Sequence, residues 1–219
     1  MRTIKTTSIA NIVCRIDAKT QGSGVLYKYN SDYVLLFTCK HVICDSKEFS
    51  IQFMKNHHFD RLNLAEEIKI LIDEEDKEND VAIIEIPICR YEILKDIPFI
   101  VAMTDDNSDG KLLCGYPEIF NRTKINCIII DEGRIYNSVF RTSINLDTYT
   151  SEGLENAKGF SGGGIFSNFD GIVYIEGIAK KYANEFKFFE YIPIKEYNTL
   201  LEMKGYKPIQ LWVNYYIMQ

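Results

Sequence analysis

A serine inside a dense run of glycines is the first place in this chain where a reaction could be housed. In Lys158-Gly159-Phe160-Ser161-Gly162-Gly163-Gly164-Ile165-Phe166 the Ser161 hydroxyl stands in a turn that leads into an apolar run. Glycine on both sides lets the backbone fold tightly and aim amide N–H groups at one spot, which is what a tetrahedral oxyanion beside a serine nucleophile requires. The plainer reading is a Gly-rich β-turn with an incidental serine. Two further segments bear on that choice. Leu36-Phe37-Thr38-Cys39-Lys40-His41-Val42-Ile43 sets His41 just past an apolar run, and imidazole is the side chain that gains and loses a proton near neutral pH. Asn79-Asp80-Val81-Ala82-Ile83-Ile84-Glu85-Ile86 sets Asp80 at the entry to a run so apolar that the carboxylate is drawn inward. A buried carboxylate needs a partner, and an N–H of His41 would serve. Each fragment alone is weak, and their joint occurrence points to catalysis by a serine nucleophile.

Order along the chain separates the hydrolase classes. Gly159-Phe160-Ser161-Gly162-Gly163 also fits the G-x-S-x-G elbow of α/β hydrolases, which run serine, acid, histidine. All three histidines, His41, His57 and His58, precede Ser161, so that order cannot be completed. The subtilisin order would need Asp17 or Asp32 as the acid and a helix-rich parallel sheet, which the strand pattern does not provide. The order present is His41, Asp80, Ser161.

The elements that must position these groups are short β-rich runs separated by Gly, Asn, Asp and Ser, an all-β balance. Strands are predicted over 9–16, 24–29, 33–38, 49–53, 68–72, 81–86, 111–115, 125–131, 134–140, 142–148, 164–166, 172–179 and 186–192. They are too many for one small sandwich, and two six-stranded barrels would use them. The polar stretch Asp105-Asp106-Asn107-Ser108-Asp109-Gly110 marks the seam. The expected division is 1–103, carrying His41 and Asp80; 104–193, carrying Ser161; and 194–219, a helix and tail. Ile194, Tyr197, Leu200 and Leu201 recur at helical spacing, and Gly205 ends the helix. The stretch that opens at Pro208 and closes at Gln219 is too apolar to float in water, so it is expected to pack on something or to recruit a regulatory protein partner.

Composition removes other classes. With 31 Asp and Glu against 25 Lys and Arg, a net charge of −6 gives no general attraction for phosphate backbones or anionic lipid, so no nucleic acid is expected as a partner. No apolar run approaches the roughly 18 residues that cross a bilayer, and no membrane span is expected. Arg2 and Lys5 are followed by no continuous apolar stretch of the kind that marks a secretory signal, which favours a cytoplasmic location. The six cysteines lie scattered in strand-like runs and read as buried free thiols. Cys39 and Cys44 around His41 could offer zinc ligands but lack the usual fourth. The acidic cluster at 73–79 reads as a solvated loop, without the alternating ligands of a calcium loop. No metal or cofactor is expected.

Together the motifs resemble the trypsin/chymotrypsin-like serine peptidases, in the short bacterial style of the heat-shock Deg-type proteases without their PDZ domain. The matching residues are Gly22-Ser23-Gly24, Thr38-x-x-His41-Val42, Asp80-Val81-Ala82-Ile83-Ile84, Gly159-x-Ser161-Gly162-Gly163, and Asp170-Gly171-Ile172-Val173 leading to Gly177-Ile178. The resemblance implies a double six-stranded antiparallel β-barrel with a C-terminal helix and a cleft between barrels. In that cleft Ser161 would be the nucleophile, His41 the general acid/base and Asp80 the residue orienting His41, with the N–H groups of Gly159 and Ser161 as the oxyanion hole. It implies an endopeptidase working through an acyl-enzyme, here expected to act on few protein substrates. Secreted members carry an aspartate just before the serine, to pair with a newly cleaved N-terminus. Phe160 stands there instead, so activation by cleavage is not expected, and regulation would come from a partner rearranging the loop 151–160. If that loop has no insertion, Glu155 falls at the base of the specificity pocket and favours Arg or Lys, whereas Lys180 and Lys181 on the cleft wall would repel them. The alternative is a catalytically silent peptidase-like module that recruits a partner protein.

Overall fold

The structure, a computed structural model, describes residues 9–44, 46, 48–55, 58–64, 68–75, 80–103, 111–118, 125–129, 139–141, 158–169, 172–183 and 188–212. Seven strands fill the N-terminal part: β1 (Val13–Asp17), β2 (Gly22–Lys28), β3 (Tyr33–Cys39), β4 (Phe49–Lys55), β5 (His58–Leu64), β6 (Lys69–Ile72) and β7 (Val81–Pro87). They form one antiparallel sheet in the order β5-β4-β1-β2-β3-β7-β6. β3 and β7 lie side by side and are buried along almost their whole length, which is why their sequences are near-continuous apolar runs rather than alternating ones.

The second sheet has eight strands: β8 (Val101–Met103), β9 (Leu112–Gly115), β10 (Asn126–Ile129), β11 (Val139–Arg141), β12 (Gly164–Phe169), β13 (Ile172–Ala183), β14 (Phe188–Pro193) and β15 (Leu211–Trp212). Its main path runs β10-β9-β12-β13-β14-β11, with β8 added in parallel to β13 and β15 in parallel to β8. β13, 12 residues long, is shared: residues around Tyr174 sit between β12 and β8, and the stretch from Gly177 onward runs beside β14. The all-β, double-barrel architecture with a C-terminal helix is the one that the strand pattern predicts. The strand count differs from six and six because β5 breaks its apolar residues with Asp60, Arg61 and Asn63, and because β8 and β15 are too short to show a period. The predicted strand at 142–148 lies outside the described residues.

The helix Ile194–Met203 buries Ile194, Tyr197, Leu200 and Leu201, the face its spacing predicts. Although it follows directly on β14 of the second sheet, it reaches back to the first. The Tyr197 ring packs 5.1 Å from that of Phe37, and its hydroxyl donates to the Thr38 carbonyl at 2.8 Å. Asn198 then fixes the chain beyond the helix, accepting from the Ile209 N–H at 2.8 Å and donating to its carbonyl at 2.9 Å. The opening of the apolar tail thus becomes an added strand on β8, with Trp212 against Tyr174; residues 213–219 lie outside the described residues. In the second sheet, Lys111 and Glu176 form an almost fully buried ion pair at 2.5 Å. Removing one partner of such a pair typically costs about 3–5 kcal/mol.

All six cysteines are free thiols. Cys14, Cys39 and Cys114 are buried, but Cys44 and Cys89 are exposed because they belong to helical turns rather than strand interiors. Titration with an aromatic disulfide reagent is therefore expected to modify Cys44 and Cys89 in the folded protein, and Cys14, Cys39 and Cys114 only after unfolding. Melting curves with and without strong reductant are expected to coincide; a drop of many degrees on reduction would contradict the free-thiol assignment.

Candidate active site

The approach of His41 to Asp80 follows from strand register. β3 and β7 pair up to Cys39 opposite Val81, so the next residues, Lys40 and Asp80, also face each other, and the Lys40 N–H donates to the Asp80 carbonyl at 2.8 Å. The chain then turns into the short helix Lys40–Ile43, which buries Val42 and Ile43 and carries His41 over the Asp80 side chain. Both carboxylate oxygens engage that one residue: Oδ1 accepts the His41 backbone N–H at 2.9 Å, and Oδ2 lies 2.5 Å from Nδ1. The carboxylate is 14% exposed and the imidazole 42%. With its proton on Nδ1 and donated to Asp80, the ring offers Nε2 as a proton acceptor.

Four successive carbonyls shape the turn that holds Ser161. That of Lys158 accepts the Glu118 N–H at 2.7 Å, that of Gly159 the Ser23 hydroxyl at 2.6 Å, that of Phe160 the Gly163 N–H at 2.7 Å, and that of Ser161 the Ser23 N–H at 2.7 Å. In a trans peptide the N–H points opposite to its carbonyl. Tying down the carbonyls of Lys158 and Phe160 therefore turns the N–H groups of Gly159 and Ser161 the other way, and neither has a hydrogen bond among the described residues. Gly159 and Gly162 adopt φ of 89° and 86°, which side chains rarely tolerate. A Cβ on Gly162 would also collide with the Ser23 carbonyl and meet Thr38 Oγ1 at 2.5 Å. The Ser161 hydroxyl donates to the Lys180 carbonyl at 3.0 Å.

Three links bring the two halves together. Gly22 lies between them: a Cβ there would meet both Cγ atoms of Val42 at 2.6 Å and the Ser161 carbonyl at 2.9 Å. Ser23, its carbonyl held within the first sheet by Thr38 at 2.8 Å, donates its N–H and hydroxyl to the Ser161 and Gly159 carbonyls, and the Cys39 thiol donates to the Ala179 carbonyl at 3.2 Å. Against this geometry stand two solved structures. The Rv3671c protease in its inactive form matches with a TM-score of 0.58 at 17% identity, covering 91% of this chain and 92% of that one. The serine endoprotease from Yersinia pestis matches with a TM-score of 0.58 at 20% identity, covering 93% of this chain and 67% of that one. The chain has the trypsin-like serine peptidase fold. No protein-family model and no curated protein matches the sequence.

Within this peptidase fold the residues expected from the sequence fall as follows. His41 and Asp80 are in contact, and Ser161 sits across Gly22 from the His41 turn. Lys180 meets Ser161 through its backbone carbonyl, at a bulge where β13 slips against β14 between Ala179 and Lys181. Lys181 pairs with Glu190 on β14 at 3.2 Å. Glu155 lies outside the described residues. Phe160, the residue just before Ser161, is 1% exposed and packs edge-on against Phe189 at 5.7 Å. A buried phenyl ring there leaves no partner for an ammonium group.

Cys39, His41 and Asp80 each present a possible ligand atom within 4.8 Å of the others. His41 and Asp80 already bond each other, and burial, then the Asp80 charge, push the Cys39 thiol well above its ordinary range. A thiol so held stays protonated, which is poor preparation for a metal. Cys44 is outside the group; its sulfur is exposed and lies 3.5 Å from the His41 carbonyl. Sequence reasoning missed Ser23 and Thr38 as parts of the site. Only the Gly22-Ser23-Gly24 and Thr38-x-x-His41 matches hinted at them. Gly162→Ala is expected to cost about 1–3 kcal/mol from backbone strain alone, with the collision adding to it; urea unfolding measures the loss, and wild-type stability would refute the packing described.

Proposed function

We propose that the protein is a serine endopeptidase that cleaves protein substrates through an acyl-enzyme. The observation that carries this reading is the grip of both Asp80 oxygens on His41, ring and backbone, at the edge of the turn that holds Ser161. A carboxylate spent on orienting one half-exposed imidazole is an arrangement suited to proton transfer. In the reaction, Ser161 Oγ leaves the Lys180 carbonyl and passes its proton to His41 Nε2 as the hydroxyl oxygen attacks the scissile carbonyl carbon. Asp80 holds the ring in the Nδ1–H tautomer and stabilises the imidazolium that forms. The N–H groups of Gly159 and Ser161 receive the oxyanion. The imidazolium then gives its proton to the leaving amine, and water repeats the sequence on the ester.

Phe160 argues that the turn is held by apolar packing and needs no cleaved N-terminus to complete it. The free thiols favour a reducing compartment, and with it a cytoplasmic enzyme of narrow substrate range. For specificity, Glu155 remains the candidate for recognising Arg or Lys on the acyl side of the cleaved bond. The competing reading, a silent module that recruits a partner, is disfavoured by the presence of His41, Asp80 and Ser161 together.

A fluorophosphonate probe is expected to label the wild type at Ser161. Ser161→Ala should abolish labelling and cleavage of a denatured protein substrate, His41→Ala should come close to that, and Asp80→Asn should lower the rate on the order of 10⁴-fold. Labelling that persists in Ser161→Ala would refute the mechanism. A peptide-library profile unchanged by Glu155→Gln would remove Glu155 from the specificity pocket.

A further inference from the structure

The Gly22-Ser23-Gly24 motif has no part in the bond-making steps above, yet every polar group of Ser23 is engaged. Ser23 is completely buried on β2, a strand of the first sheet. Its hydroxyl oxygen accepts the Tyr116 N–H at 2.9 Å, which directs the hydroxyl proton onto the Gly159 carbonyl at 2.6 Å. Its own N–H donates to the Ser161 carbonyl at 2.7 Å, and its carbonyl accepts from Thr38 at 2.8 Å. One residue of the first sheet therefore holds the nucleophile turn of the second on both sides of Phe160.

We propose that Ser23 is a positioning residue, whose side-chain hydroxyl locks the Gly159–Phe160 peptide and thereby fixes the stretch of backbone between the two N–H groups, of Gly159 and Ser161, that face the oxyanion. This rests on the peptidase reading above. The backbone N–H of Ser23 would hold Ser161 whatever its side chain; the hydroxyl alone reaches Gly159. Without it the Gly159 carbonyl loses its donor in a buried place, an arrangement the chain relieves by rotating the peptide. Gly159 has no Cβ to resist that rotation, so the hydroxyl supplies a restraint that glycine lacks. The residue touches neither substrate nor His41, and it acts through the turn.

The test uses the full chain, with p-nitrophenyl acetate turnover and the rate of fluorophosphonate labelling as readouts. Ser23→Ala is expected to slow acylation on the order of 10²-fold, the scale of losing one oxyanion donor. KM should stay within about threefold, and the pH midpoint of activity should not move, because His41 and Asp80 are untouched. Asn198→Ala removes two bonds to the Ile209 backbone that the site does not use, and is expected to lower the urea midpoint while acylation stays within about threefold. Should Ser23→Ala not fold, Ser23→Cys fills the same space with a weaker donor and is expected to slow acylation in the same direction. A folded variant lacking the hydroxyl that acylates at the wild-type rate overturns the inference, as does an equal loss in Asn198→Ala. A wild type that fails to label at Ser161 overturns the peptidase reading itself, a result distinct from either.

Discussion

The carbonyl of Ser161 and the amide of Ser23 meet at 2.7 Å, and through that bond a strand of the first sheet holds a turn of the second. The histidine and its carboxylate belong to one sheet, the serine to the other, so any chemistry that needs all three depends on this joint being unique. Its uniqueness comes from close approach. Glycines at 22 and 162 admit the neighbouring backbone, and side chains on either would force the sheets apart. Hydrogen bonds from Thr38, Cys39 and Ser23 then fill the space so gained, pairing the carbonyls of Ser23, Ala179 and Gly159 within the seam.

Burial gives this seam its stiffness. An unpaired carbonyl in water costs little, but in a site closed to solvent it costs roughly 1–3 kcal/mol, so each of the four carbonyls from Lys158 to Ser161 keeps its donor. The N–H groups of Gly159 and Ser161, which bracket Phe160, have no acceptor among the described residues. Phe160 itself is sunk against Phe189, an apolar anchor between two polar ties.

Much of this was legible in the sequence, for physical reasons that differ by element. Residues 33–39 and 81–87 are apolar enough to be recognised as buried strands, and the helix face of Ile194, Tyr197, Leu200 and Leu201 shows its period directly. His41, Asp80 and Ser161 stood out because their neighbours are so apolar or so rich in glycine that a polar side chain among them needs a reason. β5 did not stand out, since its mixture of charged and apolar residues matches no single period. The exposure of Cys44 and Cys89 was misjudged because the helical turns that lift them outward are only four and three residues long. Ser23 was visible as part of a motif and invisible as a contact, because its partners lie 136 and 93 residues away.

The bond from Tyr197 to the Thr38 carbonyl spans 159 residues, and the helix that supplies it follows every strand but β15 in the order of synthesis. At an elongation rate of roughly 5–20 residues per second, the strand that leads to His41 leaves the ribosome about 8 to 30 seconds before the group that caps it from behind. Ser161 also emerges before Tyr197. Through that interval the nascent chain carries His41 behind a β3 whose Thr38 carbonyl still lacks its helix partner. A chain assembled in this order completes the support behind His41 only once Tyr197 has been made.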